Sequence, residues 1–216
     1  MSDGLRYPHV PRGKKATISG RNGTGKTTAG LWIARHSPGT WVILDTKGDP
    51  DNFGKVGVAL EGLPTASRLD KALASRAKFV VVRPSYKHLA PDILDDFITQ
   101  IHLSYSDIGL FIDELYSVHN NGRMGRGLSA WLTQGRALKQ SFIGLTQRPA
   151  WISGFCYSEA DYIGSFDLTL RDDRKRLVAM TGRETFWHNE PTPHTLRWYT
   201  VAQDRLTRFA PLPMSK

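Results

Sequence analysis

The eight residues from Gly20 to Thr27 constrain the fold of this chain more than any other segment. They read Gly-Arg-Asn-Gly-Thr-Gly-Lys-Thr and match the pattern G-x-x-x-x-G-K-[S/T] throughout. An apolar run, Ala16–Ser19, precedes them, and an amphipathic stretch, Lys26–His36, overlaps their end. Glycines let such a backbone curl so that its N–H groups point at phosphate oxygens, and a helix N-terminus adds positive potential. The sequence therefore predicts a strand, a phosphate-binding loop and a helix, in that order.

Side chains of this loop and of the first helical turn have expected contacts with a bound nucleotide. Lys26 is placed to reach the β- and γ-phosphates, the Thr27 hydroxyl to bind Mg²⁺, and Thr28 to assist at the α-phosphate. The remaining loop residues are expected to contact phosphates through their backbone: Gly20, Arg21, Asn22, Gly23, Thr24 and Gly25. The expected ligand is ATP with Mg²⁺. The alternative is a glycine-rich turn with a structural role only.

A second apolar segment, Gly109–Ile112, ends in two adjacent carboxylates, Asp113 and Glu114. In a sheet that carries a phosphate loop, we expect this segment to be the strand beside the first one. Asp113 would then hold Mg²⁺ directly or through water. Glu114 would polarise the attacking water as general base, which favours hydrolysis over phosphate transfer to a substrate. The alternative is that both carboxylates lie in solvent at the start of a loop.

A third apolar segment, Phe142–Leu145, is followed by Thr146 and Gln147. The Gln147 side chain is neutral, so it can hydrogen-bond both the γ-phosphate and the attacking water without a charge penalty. Gln147 is therefore a candidate catalytic residue. The alternative is a surface turn before Pro149.

Efficient hydrolysis also needs positive charge opposite the transferring phosphoryl group, and Lys26 is the cation expected from within the chain. An arginine from a neighbouring subunit would complete the site, which implies a homo-oligomer. The candidates are Arg123, Arg126, Arg136 and Arg148. Arg136, which precedes the last strand of the predicted core, is the preferred candidate. Each of the four is otherwise an ordinary surface charge.

Apolar runs rich in β-formers alternate with amphipathic stretches, which predicts an α/β fold with a mainly parallel sheet covered by helices. The predicted strands are 16–19, 41–44, 79–82, 109–112, 142–145 and 162–168; the predicted helices are 26–36, 66–75, 91–103, 128–138, about 150–161 and 172–180. With the phosphate loop, this pattern indicates a P-loop NTPase of the RecA/ASCE type. We expect one domain over residues 1–216, with a core at about 14–182 and a C-terminal β-hairpin and tail at about 183–216. The hairpin is expected within Phe186–Val201, turning at Asn189–Pro193.

The chain carries 29 Lys and Arg against 20 Asp and Glu, a net charge of +9. This excess favours polyanionic partners, and a basic surface kept for solubility is equally compatible with it. No apolar run approaches the ~18 residues of a membrane span, and residues 1–15 lack the apolar centre of a signal peptide. We therefore expect neither export nor a membrane span. Cys156 is the only cysteine, and the seven histidines lack metal-ligand spacing.

Three further segments resemble the FtsK–HerA superfamily of DNA-translocating ATPases. Asp45–Gly48 is similar to the Asp-x-Lys-Gly run of FtsK-like pumps, Thr146–Pro149 to the sensor strand, and Asp172–Leu177 to the charged segment after the last strand. The resemblance covers about residues 16–177. It implies ATP hydrolysis coupled to movement of double-stranded DNA by a homo-oligomeric ring, a pentamer or hexamer.

Within this superfamily the chain looks most like the genome-packaging ATPases of tailless, membrane-containing icosahedral viruses. About 15 residues precede the first predicted strand and about 40 follow the charged segment, so we expect neither a HerA barrel nor an FtsK winged helix. The resemblance implies a motor at a capsid vertex, in the host cytoplasm or the virion, with capsid vertex proteins as further partners. The alternatives are a pump for DNA transfer or repair, a filamentous-phage assembly ATPase, and a small P-loop kinase or nucleotide switch.

The segment His119–Gly127 is glycine-rich, basic and free of acids. A flexible loop of this composition could grip DNA phosphates in a ring pore without reading bases; a mobile surface loop is the alternative. A second set of residues is expected to cover a sheet edge or a subunit contact rather than touch DNA: Trp187, His188, Arg197, Trp198 and Tyr199.

Overall fold

The computed structural model of the chain describes residues 7–211 and has a nine-stranded sheet at its centre. The sheet strands are β1 (Lys15–Ser19), β2 (Thr40–Leu44), β3 (Val58–Glu61), β4 (Phe79–Arg83), β5 (Ile108–Ile112), β8 (Ser141–Thr146), β9 (Tyr162–Ser165), β10 (Leu196–Thr200) and β11 (Arg205–Phe209). Two short strands, β6 (His119–Asn120) and β7 (Arg123–Met124), pair separately. The sheet order is β11-β10-β9-β1-β8-β5-β2-β4-β3. Pairing is parallel from β9 to β3, and β10 and β11 add antiparallel strands at one edge.

Helices cover both faces of the sheet, as the alternating pattern predicts. They are α1 (Lys26–His36), α2 (Pro50–Phe53), α3 (Ala66–Ala74), α4 (Pro91–Ser104), α5 (Arg126–Gln134), α6 (Phe155–Ser158) and α7 (Arg171–Thr181). Successive side chains of a strand point to opposite faces, and in β2 Trp41 joins the apolar cluster under α1 while Val42 joins the cluster under α4 and α5. The central strands are therefore apolar throughout because both faces are buried. None of the helices within residues 7–211 combines the length and apolar character that crossing a membrane requires.

The position of the acidic strand differs from the expectation. We expected the strand that ends before Asp113 to lie beside β1, and this is wrong because β8 is inserted between β1 and β5. The carboxyl end of β8 consequently lies between the phosphate loop and the acidic pair. Gln147 follows β8 and therefore lies between these two groups, a position that the sequence pattern alone did not predict.

Several element boundaries also differ from the predicted ones. The helix expected over 150–161 is a 3₁₀ turn, Pro149–Trp151, followed by the single-turn α6. Helix α5 ends at Gln134 rather than 138, and β9 ends at Ser165 rather than 168. The edge strand β3 was not predicted, since it is short and two of its four residues are exposed.

A C-terminal hairpin is present, but it is shifted along the chain. It pairs β10 with β11, whereas the expected hairpin occupied Phe186–Val201. The physical reason is Arg197, whose guanidinium is 1% exposed and donates to the carbonyl oxygens of Thr185 at 2.8 Å, of Phe166 at 3.3 Å and of His188. These bonds hold the segment before β10 across the end of β9 instead of in a strand.

Two of the aromatic residues of this region are buried by packing within their own chain. Trp198 is 4% exposed and stacks on Tyr162 with ring centroids 5.3 Å apart, and Tyr199 is 7% exposed. Trp187 is half-buried and His188 is exposed. Trp198 and Tyr199 therefore cover the edge of the parallel sheet.

Replacement of Arg197 by methionine should destabilise the fold, because it removes a buried donor and leaves several carbonyl oxygens without a partner. We expect Arg197→Met to lower the free energy of unfolding by about 3 kcal/mol, measured by urea denaturation. Arg205→Met, at an exposed position of β11, is the matched control and should change it by less than about 0.5 kcal/mol. Equal stability of the two variants would contradict this role of Arg197.

Candidate functional site

The phosphate loop between β1 and α1 depends on three glycines for two different reasons. Gly23 and Gly25 have φ values of +75° and +87°, a region that side chains disfavour. Gly20 is needed for space, because a Cβ there would lie 2.8 Å from the Thr24 hydroxyl oxygen and 2.9 Å from the Cβ of Phe166. The Thr24 hydroxyl closes the loop by donating to the Arg21 carbonyl oxygen at 2.8 Å. The loop therefore has a fixed shape with its backbone N–H groups at the start of α1.

Lys26 and Thr27 bring this loop into contact with the acidic strand. The Thr27 hydroxyl donates to Asp113 Oδ1 at 3.0 Å, which joins residues far apart in the sequence. Lys26 is 5% exposed, and burial lowers the pKa of its ammonium group. The charge of Lys47 lowers this pKa further, while Glu114 and Asp113 raise it. The loop lysine and both acids thus lie within one electrostatic site.

Each of the two carboxylates after β5 has one oxygen that makes no hydrogen bond to the part of the chain that the structure describes. Asp113 is 1% exposed, and among residues 7–211 its Oδ2 and the buried Oε1 of Glu114 have no hydrogen-bond partner. Buried carboxylate oxygens without partners are unfavourable. With the Thr27 hydroxyl they form a set of hard oxygen donors of the kind that Mg²⁺ prefers. The residues present therefore fit a magnesium ion.

Lys47 completes the charge balance of the acidic pair. Its ammonium nitrogen lies 3.2 Å from Glu114 Oε2 and 3.5 Å from Asp113 Oδ2. The turn that presents Lys47 is built by Asp45, whose two carboxylate oxygens accept from the N–H of Asp49 at 3.1 and 3.2 Å. Burial raises the pKa of Asp45. The resemblance of Asp45–Gly48 to FtsK-like pumps assigned no role to Lys47. Its position just after the central strand β2 is the signal in the sequence from which a role at the site could have been predicted.

Gln147 and Arg148 follow β8 and differ in their surroundings. Gln147 is partly buried, next to Thr146, whose carbonyl oxygen accepts from the Gly20 N–H at 3.1 Å. Arg148 Nε lies 3.0 Å from Asp173 Oδ2, and its guanidinium stacks 3.7 Å above the Trp151 ring. Asp173 belongs to the charged segment that resembles the superfamily, so this segment holds Arg148 within its own chain.

The other three candidate arginines lie at opposite ends of the strands: Arg136 at the amino ends, and Arg123 and Arg126 at the carboxyl ends. Arg136 is exposed and precedes β8, near Gly13 at the amino edge, away from the phosphate loop of its own chain. Arg123 and Arg126 are exposed and follow the acidic strand. Within residues 7–211, their guanidinium groups make no hydrogen bond or ion pair. A contribution in trans by any of the four stays a prediction.

The glycine-rich segment 119–127 forms a tight hairpin in place of the expected open loop. Strands β6 and β7 are joined by Asn121 and Gly122, with φ values of +49° and +76°, as a two-residue primed turn requires. The buried Asp95 carboxylate then accepts from the N–H groups of Gly127 and Leu128, each at 2.9 Å. Glycine is therefore needed in this segment for the turn and for the close approach of the backbone to α4.

The chain is similar in sequence to a phage protein. No family model matches the chain. The DNA packaging ATPase P9 of enterobacteria phage PRD1 is 30% identical over 169 residues, which are 75% of this chain and 67% of P9.

Solved structures share the fold at lower identity. The genome packaging NTPase B204 from Sulfolobus turreted icosahedral virus 2, in complex with ATP-γS, has a TM-score of 0.70 and 17% identity, covering 93% of this chain and 98% of B204. The DNA-packaging ATPase B204 of Sulfolobus turreted icosahedral virus has a TM-score of 0.73 and 18% identity, covering 94% and 99%. The pCW3 conjugation coupling protein TcpA has a TM-score of 0.61 and 13% identity, covering 92% and 60%.

The fold, the phosphate loop and the acidic pair together define a P-loop NTPase with a mainly parallel sheet. The similarity to P9 is more specific. The chain belongs to the family of viral DNA packaging ATPases that includes P9 of phage PRD1.

The Asp95 contact makes the hairpin sensitive to a single methyl group. A Cβ at Gly127 would lie 2.3 Å from the Thr99 hydroxyl oxygen and 2.5 Å from the Asp95 carbonyl oxygen. We expect Gly127→Ala to lower the free energy of unfolding by about 1–3 kcal/mol, measured by urea denaturation. Ser129→Ala, in the same helix, is the control and should have little effect. A Gly127→Ala variant as stable as the control would contradict the close packing.

Proposed function

We propose that this chain hydrolyses Mg-ATP and uses the reaction to drive double-stranded DNA into a preformed viral capsid. The observation that carries the proposal is the contact between Thr27 of the phosphate loop and Asp113, with Glu114 one residue further. This contact supports a single site in which a phosphate loop, a cation site and a candidate base act together. Membership of the P9 family favours packaging over DNA transfer, repair or phage assembly.

Nucleotide binding is assigned to the loop and the start of α1. The backbone N–H groups of Gly20–Gly25 hold the phosphates, Lys26 binds the β- and γ-phosphates, and Thr28 contacts the α-phosphate. Thr27 and Asp113 hold Mg²⁺, which when bound offsets negative charge on the phosphate oxygens. The buried position of Lys26 strengthens its attraction to phosphate because little water screens it.

Hydrolysis is assigned to Glu114 and Gln147. Glu114 accepts the proton of the attacking water, and Gln147 orients that water against the γ-phosphate. The insertion of β8 between β1 and β5 supports this assignment, because Gln147 follows a strand that lies between the one before the phosphate loop and the one before Glu114. Lys47 acts as a positioning residue whose ammonium group holds the Glu114 carboxylate in place.

A homo-oligomeric ring, pentameric or hexameric, would supply the remaining positive charge in trans. Arg136 is the preferred donor, and its exposed position at the far edge of the sheet is compatible with a contact to a neighbouring subunit. Arg123 and Arg126 are alternatives. Arg148 would first have to leave Asp173 and Trp151.

DNA contact is assigned to the hairpin of β6 and β7. Arg123 in β7 and Arg126 at the start of α5 are exposed, and they would bind backbone phosphates without reading bases. The net charge of +9 supports a polyanionic partner. The motor would act at a capsid vertex, against vertex proteins, in the host cytoplasm or the virion.

Removal of the proposed base should separate binding from turnover. We expect Glu114→Gln to bind ATP but to lose hydrolysis by about 10²–10⁴-fold, because no carboxylate accepts the proton of the water. Lys26→Ala should lose ATP binding as well. Phosphate release with and without linear duplex DNA, and calorimetry of ATP binding, measure both, with the exposed Glu184→Gln as control. Normal hydrolysis by Glu114→Gln would refute the base, and turnover indifferent to DNA would refute the motor.

Loss of Lys47 should affect turnover more than affinity. We expect Lys47→Met to lower kcat by about 10–100-fold while the Kd for Mg-ATP changes by less than about threefold, because the lysine positions Glu114 rather than the phosphates. Lys55→Met, at an exposed position beyond α2, is the matched control. An unchanged kcat, or an effect confined to Kd, would contradict the positioning role.

A further inference from the structure

Three side chains with sulfur or nitrogen donors, which the proposed hydrolysis does not use, meet behind the hairpin of β6 and β7. The Sγ atom of Cys156 lies 3.8 Å from Nε2 of His119 and 4.0 Å from Sδ of Met124. Cys156 is 0% exposed, His119 is 3% exposed, and Met124 is partly buried. We call these three residues the soft-ligand cluster.

The soft-ligand cluster joins two separate parts of the fold. His119 and Met124 are directly opposite each other in the pairing of β6 with β7, so their side chains lie on one face of the hairpin. Cys156 belongs to α6, and its carbonyl oxygen accepts from the Thr17 hydroxyl of β1 at 2.6 Å. An ion shared by the three side chains would therefore connect the hairpin to the central sheet.

The imidazole of His119 is oriented as a ligand. Its Nδ1 lies 2.6 Å from the Leu115 carbonyl oxygen, which can only accept, so Nδ1 carries the proton. The neutral ring then has its lone pair on Nε2, the atom that faces Cys156. A histidine that binds a metal ion usually has such a hydrogen bond from its other nitrogen, because it fixes the tautomer and the orientation of the ring.

The separations within the cluster match those of ligands around a single ion. An ion with bonds of about 2.3 Å to sulfur and about 2.0 Å to nitrogen, at angles of about 120°, holds sulfur and nitrogen about 3.7 Å apart and two sulfurs about 4.0 Å apart. The observed separations are 3.8 and 4.0 Å. The single proton of the Cys156 thiol, by contrast, can serve only one of its two neighbours at a time.

The donor set selects a soft ion. Thiolate and thioether sulfurs favour Cu(I), whereas structural Zn²⁺ takes four ligands from Cys, His, Asp and Glu. Within residues 7–211, no group of three such side chains could hold a metal ion. Met124 also lines a cavity of about 590 Å³ whose wall includes Asp92 and Asp95, so a cation has a path to the cluster.

We propose that Cys156, His119 and Met124 form a three-coordinate site for Cu(I). The ion replaces the thiol proton, which is released to solvent, and the thiolate, the imidazole Nε2 and the thioether sulfur each donate an electron pair to it. No atom is oxidised or reduced. The bound ion ties the hairpin that carries Arg123 to α6, and this inference does not depend on the proposed hydrolysis of ATP.

Binding and stability measurements on the purified chain test the site without an assay of ATP hydrolysis. Anaerobic titration with Cu(I) against a chromogenic Cu(I) chelator, and calorimetry with Ag(I) as an analogue that air does not oxidise, should each give one ion per chain. At a free-ion concentration about 100 times Kd, we expect Tm to rise by about 5–10 °C. Zn²⁺ at the same concentration should leave Tm unchanged. X-ray absorption at the copper edge should show two sulfur ligands and one nitrogen ligand.

Two methionine variants separate the three-ligand site from binding by the thiol alone. Met124→Leu keeps the volume of the side chain and removes its sulfur, and we expect it to weaken Cu(I) binding at least about tenfold. Met180→Leu, at another partly buried methionine that packs on the same core, is the matched control and should leave Kd unchanged. Cys156→Ala should abolish binding, with urea denaturation in the absence of metal as the check on its fold.

Equal Cu(I) affinity of Met124→Leu and Met180→Leu would overturn the site, because the thiol would then bind the ion without the thioether. A fall in Tm on addition of Cu(I) or Ag(I) would also overturn it, since the ion would then reach Cys156 only by opening the core. A rise in Tm with Zn²⁺ as large as that with Cu(I) would contradict the assignment to a soft ion.

Discussion

The hydrogen bond from Thr27 to Asp113 can form only because the carboxyl ends of parallel strands share one edge of the sheet. β1 supplies the phosphate loop, β5 supplies the acids, and β8 between them supplies Gln147. Each of these strands is buried on both faces, so its end is fixed by the core on either side. The polar ends are therefore brought together by apolar packing, while the polar groups themselves remain partly unsatisfied.

Charges at this edge alternate in sign, which limits the unfavourable effect of burying them. Arg83 lies 3.4 Å from Asp45, and the turn that Asp45 holds carries Lys47 to the two acids. Lys26 faces the same acids, and burial together with Lys47 lowers its pKa while the acids oppose that shift. The two lysines thus offset the negative charge of the two acids, as Arg83 offsets that of Asp45.

The sequence predicts the parts of the site that depend on local chemistry and fails where the determinants are distant. The phosphate loop is recognisable because certain of its positions accept only glycine, Gly23 because of its backbone conformation and Gly20 because there is no space for a side chain. The order of β5 and β8 is not, since both are buried apolar strands with polar ends. The position of the hairpin could not be predicted either, because it depends on hydrogen bonds from Arg197 to carbonyl groups of two separate segments. The contacts of Phe166 and His194 with the phosphate loop were not predicted for the same reason, because these residues meet the loop only in the folded sheet.

From its composition, the glycine-rich segment could be either a mobile surface loop or a flexible loop that grips DNA. Its contacts show instead a segment that is fixed at both ends. Asp95 fixes the start of α5, and the primed turn at Asn121 and Gly122 fixes the tip. One 3₁₀ turn, Leu115–Val118, joins Glu114 to this hairpin, and its buried residues pack in the main core. The end of the acidic strand is therefore joined to the hairpin that carries Arg123 by packed structure rather than by an open loop.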